Sequence, residues 1–262
     1  VDWFILVEAT LTHSGKKKPL YYELYKNEER FQKFSNKIIH IIDTELCEDP
    51  LITEYTYSNQ IWKNENHQRN AIHQGIQQIE TQLSPTDYII ISDVDEIPNP
   101  ALLRDIKMRG EGREEYLYKA YSLKQELYYY NLTCLQHIPW CSSKMIQYRT
   151  YRDYFKNKPN EIRLYNIMYT NNLNFEGFHY LDFAGWHLSY FGDVSFIQNK
   201  IKNFAHQELN NSNYNSNDYL EKCIRDKKCF INPQNENIQY VPIESNANLP
   251  YMYDVYLTKF LK

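Results

Sequence analysis

The segment Tyr88–Pro98, YIIISDVDEIP, decides how the rest of the chain is read. Residues 88–92 suit a buried strand, and Asp93, Asp95 and Glu96 then place three acids within four positions before Pro98 closes the segment. Carboxylates packed that closely repel one another unless a cation or solvent absorbs the charge. Alternation puts Asp93 and Asp95 on one side of an extended chain, where both can converge on one hard cation that prefers oxygen ligands. The proline restricts the exit of the loop and helps to hold the acids in place. Acids at strand ends also serve as caps or solvated turn residues, so the context of the strand carries the metal reading.

That context is a βαβ pattern. WFILVEAT (3–10) reads as a buried strand, LTHSGKKKPL as a loop, residues 19–34 as a helix opened by a proline, and KIIHIID (37–43) as a second strand. Ile72, Ile76, Ile79 and Leu83 form a helical stripe over residues 62–80 and just beyond, and SPTD turns the chain into YIIIS. Strand, helix, strand, helix, strand is the order of a parallel sheet with right-handed crossovers. Ligands of open α/β sheets sit beyond the carboxyl ends of the strands, where Glu8, Asp43 and the Asp93 cluster fall.

The second half differs in character. Tyrosine-rich extended runs over 115–155 predict mixed or antiparallel strands, and FHYLDFAGWHLSYFG (178–192) is a further strand-like region. A helix is expected over 195–208, a polar loop or insert at NNSNYNSN (210–217), and a mostly irregular close. The expected architecture is one α/β domain over 1–262, with halves of about 1–110 and 111–262.

Composition narrows the function classes. The 262 residues are 42% hydrophobic and include 25 Tyr, 12 Phe and 4 Trp, which suits an ordered, aromatic-lined globule. A net charge of −4 leaves no overall footprint for nucleic acid. No apolar run approaches the roughly 20 residues of a membrane span. The opening at Val1, directly inside a strand-like run, suggests a piece of a longer protein whose anchor or targeting segment lies outside. Cys47, Cys134, Cys141, Cys223 and Cys229 share no zinc spacing; Cys223 and Cys229 could bridge, but free buried thiols are an equal expectation. Asn131 and Asn210 open acceptor triplets for N-glycosylation, the first in an expected strand.

Three further groups could carry chemistry. Arg69 lies on the stripe of Ile72 and Ile76 with Glu65 four residues earlier, so it either pairs with Glu65 or holds an acidic loop or phosphate. In AGWHLSYFG, Gly185 permits close backbone approach, Trp186 is a flat plate and His187 a nitrogen ligand, although a histidine between aromatics is often a packed core residue. In KIKNFAHQE, Lys200, Lys202, His206 and Glu208 lie on or beside a helix; they suit either solvent or a diphosphate.

Taken in order, ILVEAT with Glu8, SGKKKPL, WKNENHQR (62–69), SDVDEIP, and AGWHLSYFG followed by KIKNFAHQE resemble the motif set of glycosyltransferase family 17. This is the β-1,4-mannosyl-glycoprotein β-1,4-N-acetylglucosaminyltransferase family. The resemblance runs from residue 2 to about 208. It implies a GT-A fold, a Rossmann-like mixed sheet flanked by helices, with a nucleotide-sugar donor, a divalent metal and inversion at the anomeric carbon. On that resemblance Asp93 and Asp95 hold the cation, Mn2+ or else Mg2+, with His187 as a further ligand. Glu8, Thr10, Arg69, Ser92, Val94, Lys200, Lys202 and His206 face the donor, UDP-N-acetylglucosamine or a related UDP-sugar. Trp186 and Tyr190 stack on a glycan or glycoprotein acceptor. Glu208, Asp182 or Glu96 serves as the base, with Glu208 preferred. An upstream anchor would place the domain in the Golgi lumen, and without one a cytoplasmic microbial or viral enzyme is expected. The competing classes are a metal-dependent nucleotidyltransferase or phosphodiesterase and a non-catalytic carbohydrate-binding protein.

Overall fold

A computed structural model describes residues 1–48, 60–109, 120–165, 177–232 and 238–261. In chain order the elements are β1 (Phe4–Ala9), α1 (Tyr21–Tyr25), α2 (Glu29–Gln32), β2 (Ile38–Asp43), α3 (Gln60–Asn70), α4 (Ile72–Gln78), β3 (Tyr88–Ile91), β4 (Glu96–Pro98) and α5 (Pro100–Arg109). They continue with β5 (Ala120–Leu123), β6 (Gln125–Tyr129), β7 (Cys134–Trp140), β8 (Lys144–Gln147), α6 (Tyr148–Asp153), α7 (Pro159–Leu164), β9 (His179–Leu181) and β10 (Gly185–Ser189). The last are α8 (Val194–Asn203), α9 (Asn217–Arg225), β11 (Ile238–Tyr240) and α10 (Tyr253–Tyr256). The chain divides into two compact units, one of residues 1–84, 157–160 and 200–210, the other of 85–156, 161–199 and 211–262.

In the first unit β1 and β2 pair in parallel, from Phe4 opposite Ile38 to Ala9 opposite Asp43. Helix α4 packs on both strands through Ile76 and its neighbour Gly75. A Cβ at Gly75 would lie 2.4 Å from Ile5 Cγ2, so only glycine allows this approach without a shift of Ile5. The expected helix over 19–34 is instead the short pair α1 and α2, separated by turns at 26–28. Neither contains a buried residue, and a helix with no apolar face to bury has little to sustain further turns.

The second unit carries two mixed sheets, ordered β11-β7-β6-β10-β4 and β3-β8-β5-β9. Strand β3 therefore does not extend a parallel β1–β2 sheet among the described pairings. It pairs antiparallel with β8, Tyr88 opposite Gln147. Hydrophobic runs and crossover helices specify a strand but not its partner. The tyrosine-rich strand expectation over 115–155 is met by β5 to β8 as far as Gln147, but Tyr148–Asp153 form helix α6, and residues 115–119 lie outside the described residues. The strand-like region 178–192 divides into β9 and β10 around a turn where Phe183 adopts φ 52°. Gly185 then opens β10 at φ 141°, and a Cβ there would meet Ile97 O at 2.1 Å. This approach brings β10 antiparallel to β4, placing His187 opposite Glu96.

Core clusters form around Ile106, Tyr121, Leu123 and Met145, and around Tyr128, Leu132, Trp186 and Leu188. All five cysteines are free, with Cys223 and Cys229 both buried. Asn131 lies in the turn between β6 and β7 and not in a strand. Its side-chain oxygen accepts from the Thr133 backbone N–H and hydroxyl at 2.9 and 2.8 Å. No helix among the described residues is long and apolar enough to cross a membrane.

Candidate functional site: an acidic turn and a polar clasp

Strand β3 ends at Ile91, and Asp93 to Glu96 form a tight turn leading into β4. Two reciprocal bonds close the turn. The Glu96 backbone N–H donates to Asp93 O, and the Asp93 backbone N–H donates to Glu96 Oε2, both at 3.0 Å. Val94 at its tip is 93% exposed, and Ser92 before it is half-buried.

Glu96 has no exposed side-chain surface, and its carboxylate is satisfied on every side. Arg163 on α7 donates Nη1 to Oε2 at 2.7 Å and Nη2 to Oε1, while Trp140 Nε1 also donates to Oε1. Ser143 Oγ lies 2.6 Å from Oε2 and 3.0 Å from the Gln125 side-chain amide. A hydroxyl carries one proton, and the charged carboxylate is the stronger acceptor. With that proton on Glu96, a Gln125 amide turned so that its NH2 faces Ser143 Oγ would donate to that hydroxyl. The sequence offered Glu96 as a base. Burial under this many donors gives it a holding role instead.

The two turn aspartates have different partners. Asp93 Oδ2 accepts from Arg163 Nη2 at 2.8 Å. Asp95 Oδ1 lies 3.6 Å from His187 Nε2, and the Asp95 carbonyl accepts the Leu188 N–H at 2.9 Å. The His187 ring packs on Trp140 with centroids 4.6 Å apart, and its Nδ1 is buried without a hydrogen-bond partner among the described residues. Beside this network Lys144 is buried, donating to Ser122 Oγ at 2.6 Å and to Cys141 O at 2.9 Å. Burial, reinforced by the charge of Arg163, lowers its ammonium from 10.5 to about 8.

Three other expected residues of this unit lie outside this network. Asp182 is exposed and paired with Lys124 at 2.8 Å. Trp186 is 8% exposed, donates Nε1 to Asn248 O at 2.6 Å and belongs to a core cluster. Tyr190 is 6% exposed and stacks on Tyr129. Buried rings of this kind present no face for a sugar, so the acceptor-stacking expectation for Trp186 and Tyr190 is corrected to a core role.

In the first unit the segment WKNENHQR on α3 acts as a clasp. Asn64, fully inside, donates to His13 O and Cys47 O at 3.0 Å each and accepts the Cys47 N–H at 2.8 Å. Arg69 donates to Glu65 at 2.7 Å and to Asn160 at 2.8 Å. His67 Nδ1 meets Asp43 at 3.0 Å, and Gln68 meets His13 at 2.8 Å. The Glu65–Arg69 pair, one of the two sequence readings of this arginine, is present. Trp62 packs edge-on against His206 at 4.9 Å, and His206 Nδ1 lies 2.6 Å from Glu208 Oε1.

Glu8 accepts the Tyr22 N–H with both oxygens at 3.0 Å and meets His40 Nε2 at 3.0 Å, tying β1 to the first turn of α1. Thr10 is half-buried, its backbone bridging Asp43 O and the Lys18 N–H at 3.0 Å each. Burial lowers the Lys18 pKa. The unsatisfied carbonyls at the C-terminal end of α8 are met by the loop after β1. Ser14 Oγ and Lys16 Nζ donate to Lys202 O at 3.1 and 2.9 Å. Lys200 is half-buried and Lys202 exposed.

Sequence reasoning missed Arg163, Trp140, Ser143, Asn64 and His13. Arg163 carried no local signal, since its flanking Leu164 is 63% exposed and neighbours along a helix do not share a face. The sequence profile of Glycosyltransferase family 17 matches residues 1–243. No curated protein and no solved structure matches the chain.

Proposed function

The chain belongs to glycosyltransferase family 17, and we propose that it is a metal-dependent, inverting transferase of GT-A type that moves N-acetylglucosamine from UDP-N-acetylglucosamine onto a glycan hydroxyl. The observation that carries this reading is the clamped turn, which presents Asp95 beside His187 at the exit of a core strand. Their facing atoms at 3.6 Å are too far apart for a hydrogen bond. Carboxylate oxygens and an imidazole nitrogen are donor types that suit Mn2+ or Mg2+. Among the described residues His187 Nδ1 has no hydrogen-bond partner of the kind that orients a ligating imidazole.

Among the described residues no three such groups are gathered into a ligand set, so Asp93, Asp95 and His187 are proposed as the residues that would close on a divalent ion. When bound, such an ion neutralises charge on the leaving diphosphate as a Lewis acid. The chain's own residues supply the rest. Lys200 and Lys202 remain, from the sequence motif, the proposed positive charges for the diphosphate. Inversion requires a carboxylate to take the acceptor's hydroxyl proton, and Glu208, oriented by His206, is the proposed base. Asp182 is its rival, and Glu96 is withdrawn because its oxygens are already engaged.

The test is thermal melting with UDP-, GDP- and CMP-sugars, each with and without Mn2+, since a ligand of the folded state raises the melting temperature. UDP-N-acetylglucosamine with Mn2+ should raise it, and Asp95→Asn should abolish the rise. Stabilisation by a GDP-sugar alone would overturn the donor assignment. Phosphodiester cleavage without sugar transfer would favour the nucleotidyltransferase or phosphodiesterase class.

A further inference from the structure

We infer that Arg163 is a positioning residue of the reaction: with Glu96 it forms a buried clamp that sets the geometry of the Asp93–Asp95 turn. The inference rests on the reading of that turn as the ion and diphosphate site.

Glu96 is joined to the turn twice, through its own N–H to Asp93 O and through Oε2 from the Asp93 N–H. Any displacement of the Glu96 carboxylate therefore displaces the backbone that carries both aspartates. The carboxylate is in turn anchored from three separate places in the fold: Trp140 at the end of β7, Ser143 just before β8, and Arg163 on α7. Of these, Arg163 alone reaches both Glu96 and the Asp93 side chain. A planar guanidinium does this with a rigid fork, which fixes the angle between the two acceptors as well as their distance. A lysine at the same place offers a point charge with no preferred plane.

A purely structural ion pair explains less. Buried pairs are often no more stabilising than apolar side chains of similar volume. A structural role also gives no reason for the second bond, to an aspartate that is 46% exposed. The positioning role does, because Asp93 and Glu96 are the two ends of the turn.

The experiment compares wild type with Arg163→Lys. Two readings are taken without any metal: the melting temperature and the amide exchange rates at Asp93 and Glu96. A third is the Mn2+ affinity in the presence of UDP, and a fourth the kcat and KM for the UDP-sugar. We expect Arg163→Lys to fold, to exchange the Asp93 and Glu96 amides at least tenfold faster, and to bind Mn2+ with UDP at least tenfold more weakly. KM for the donor should rise more than kcat falls. Unchanged amide exchange and unchanged Mn2+ affinity in a folded variant would overturn the inference and leave a structural pair.

If Arg163→Lys does not fold, the double variant Glu96→Gln, Arg163→Gln removes both buried charges together. A folded double variant with wild-type Mn2+ affinity overturns the inference, and one with weakened affinity supports it. Failure of wild type itself to bind Mn2+ with UDP would count against the proposed function. The amide exchange comparison would still judge the clamp.

Discussion

The polar residues around α3 and those around the acidic turn do different physical work. On α3, Asn64, His67, Gln68 and Arg69 spread their bonds over several places, Asn64 and Gln68 to His13, Asn64 also to Cys47, His67 to Asp43 and Arg69 to Asn160. Loss of one loosens one connection. Around the turn, the bonds converge on one carboxylate with no exposed surface, held by a guanidinium that is itself 5% exposed. There a single loss strands a buried charge. A distributed clasp degrades gradually, whereas a converging one fails as a unit.

The largest effect follows from that contrast. Arg163→Ala leaves Glu96 ionised and unpaired in the interior, which should cost about 3–5 kcal/mol in urea unfolding. A loss below about 1 kcal/mol would show that the two networks do not differ in kind.

Lys144, beside the converging network, sharpens the comparison through pH. Its folded pKa of about 8 lies below the ordinary 10.5. Between those values the unfolded chain binds more protons than the folded one, so stability rises as pH climbs through this window. Below about pH 8 the unfavourable burial of the ammonium is fully present. Lys144→Met should flatten this rise. The difference between the two pH profiles should be on the order of 3 kcal/mol across the window. Parallel profiles would rule out a buried, charged Lys144.

Asn64→Ala breaks three bonds of the distributed clasp and leaves their backbone partners unmet, an expected loss of about 2 kcal/mol. A loss as large as that of Arg163→Ala would erase the distinction. The smallest effect is expected at the tip of the turn. Val94→Ser, 93% exposed in the native chain, should shift stability by no more than about 0.5 kcal/mol.

Several of these features are legible in the residues themselves. The Ile76 face, the strands at 4–9 and 88–91 and the acids beyond them follow from periodicity and strand composition. Glu65 and Arg69, four residues apart on one helix, are paired as that spacing allows. Trp186 and Tyr190 show the opposite: an aromatic side chain looks the same in sequence whether it lines a site or fills a core. Only tertiary packing buries them, Trp186 in the cluster of Tyr128, Leu132 and Leu188 and Tyr190 against Tyr129 and Phe230.

By itself the sequence determined the local terms: where the strands at 4–9, 38–43 and 88–91 and the Ile76 helix lie, where the acids fall relative to a strand end, and the motif order that marks the family. These depend on neighbours a few residues apart. The tertiary structure decided which strand β3 pairs with, and that Glu96 is a buried anchor and not a free base. It also decided that Arg163, 67 positions from Glu96, closes the turn. Such contacts join residues far apart along the chain, and no local preference encodes the partner; it is selected by the burial of charge and the fit of surfaces once the fold has formed.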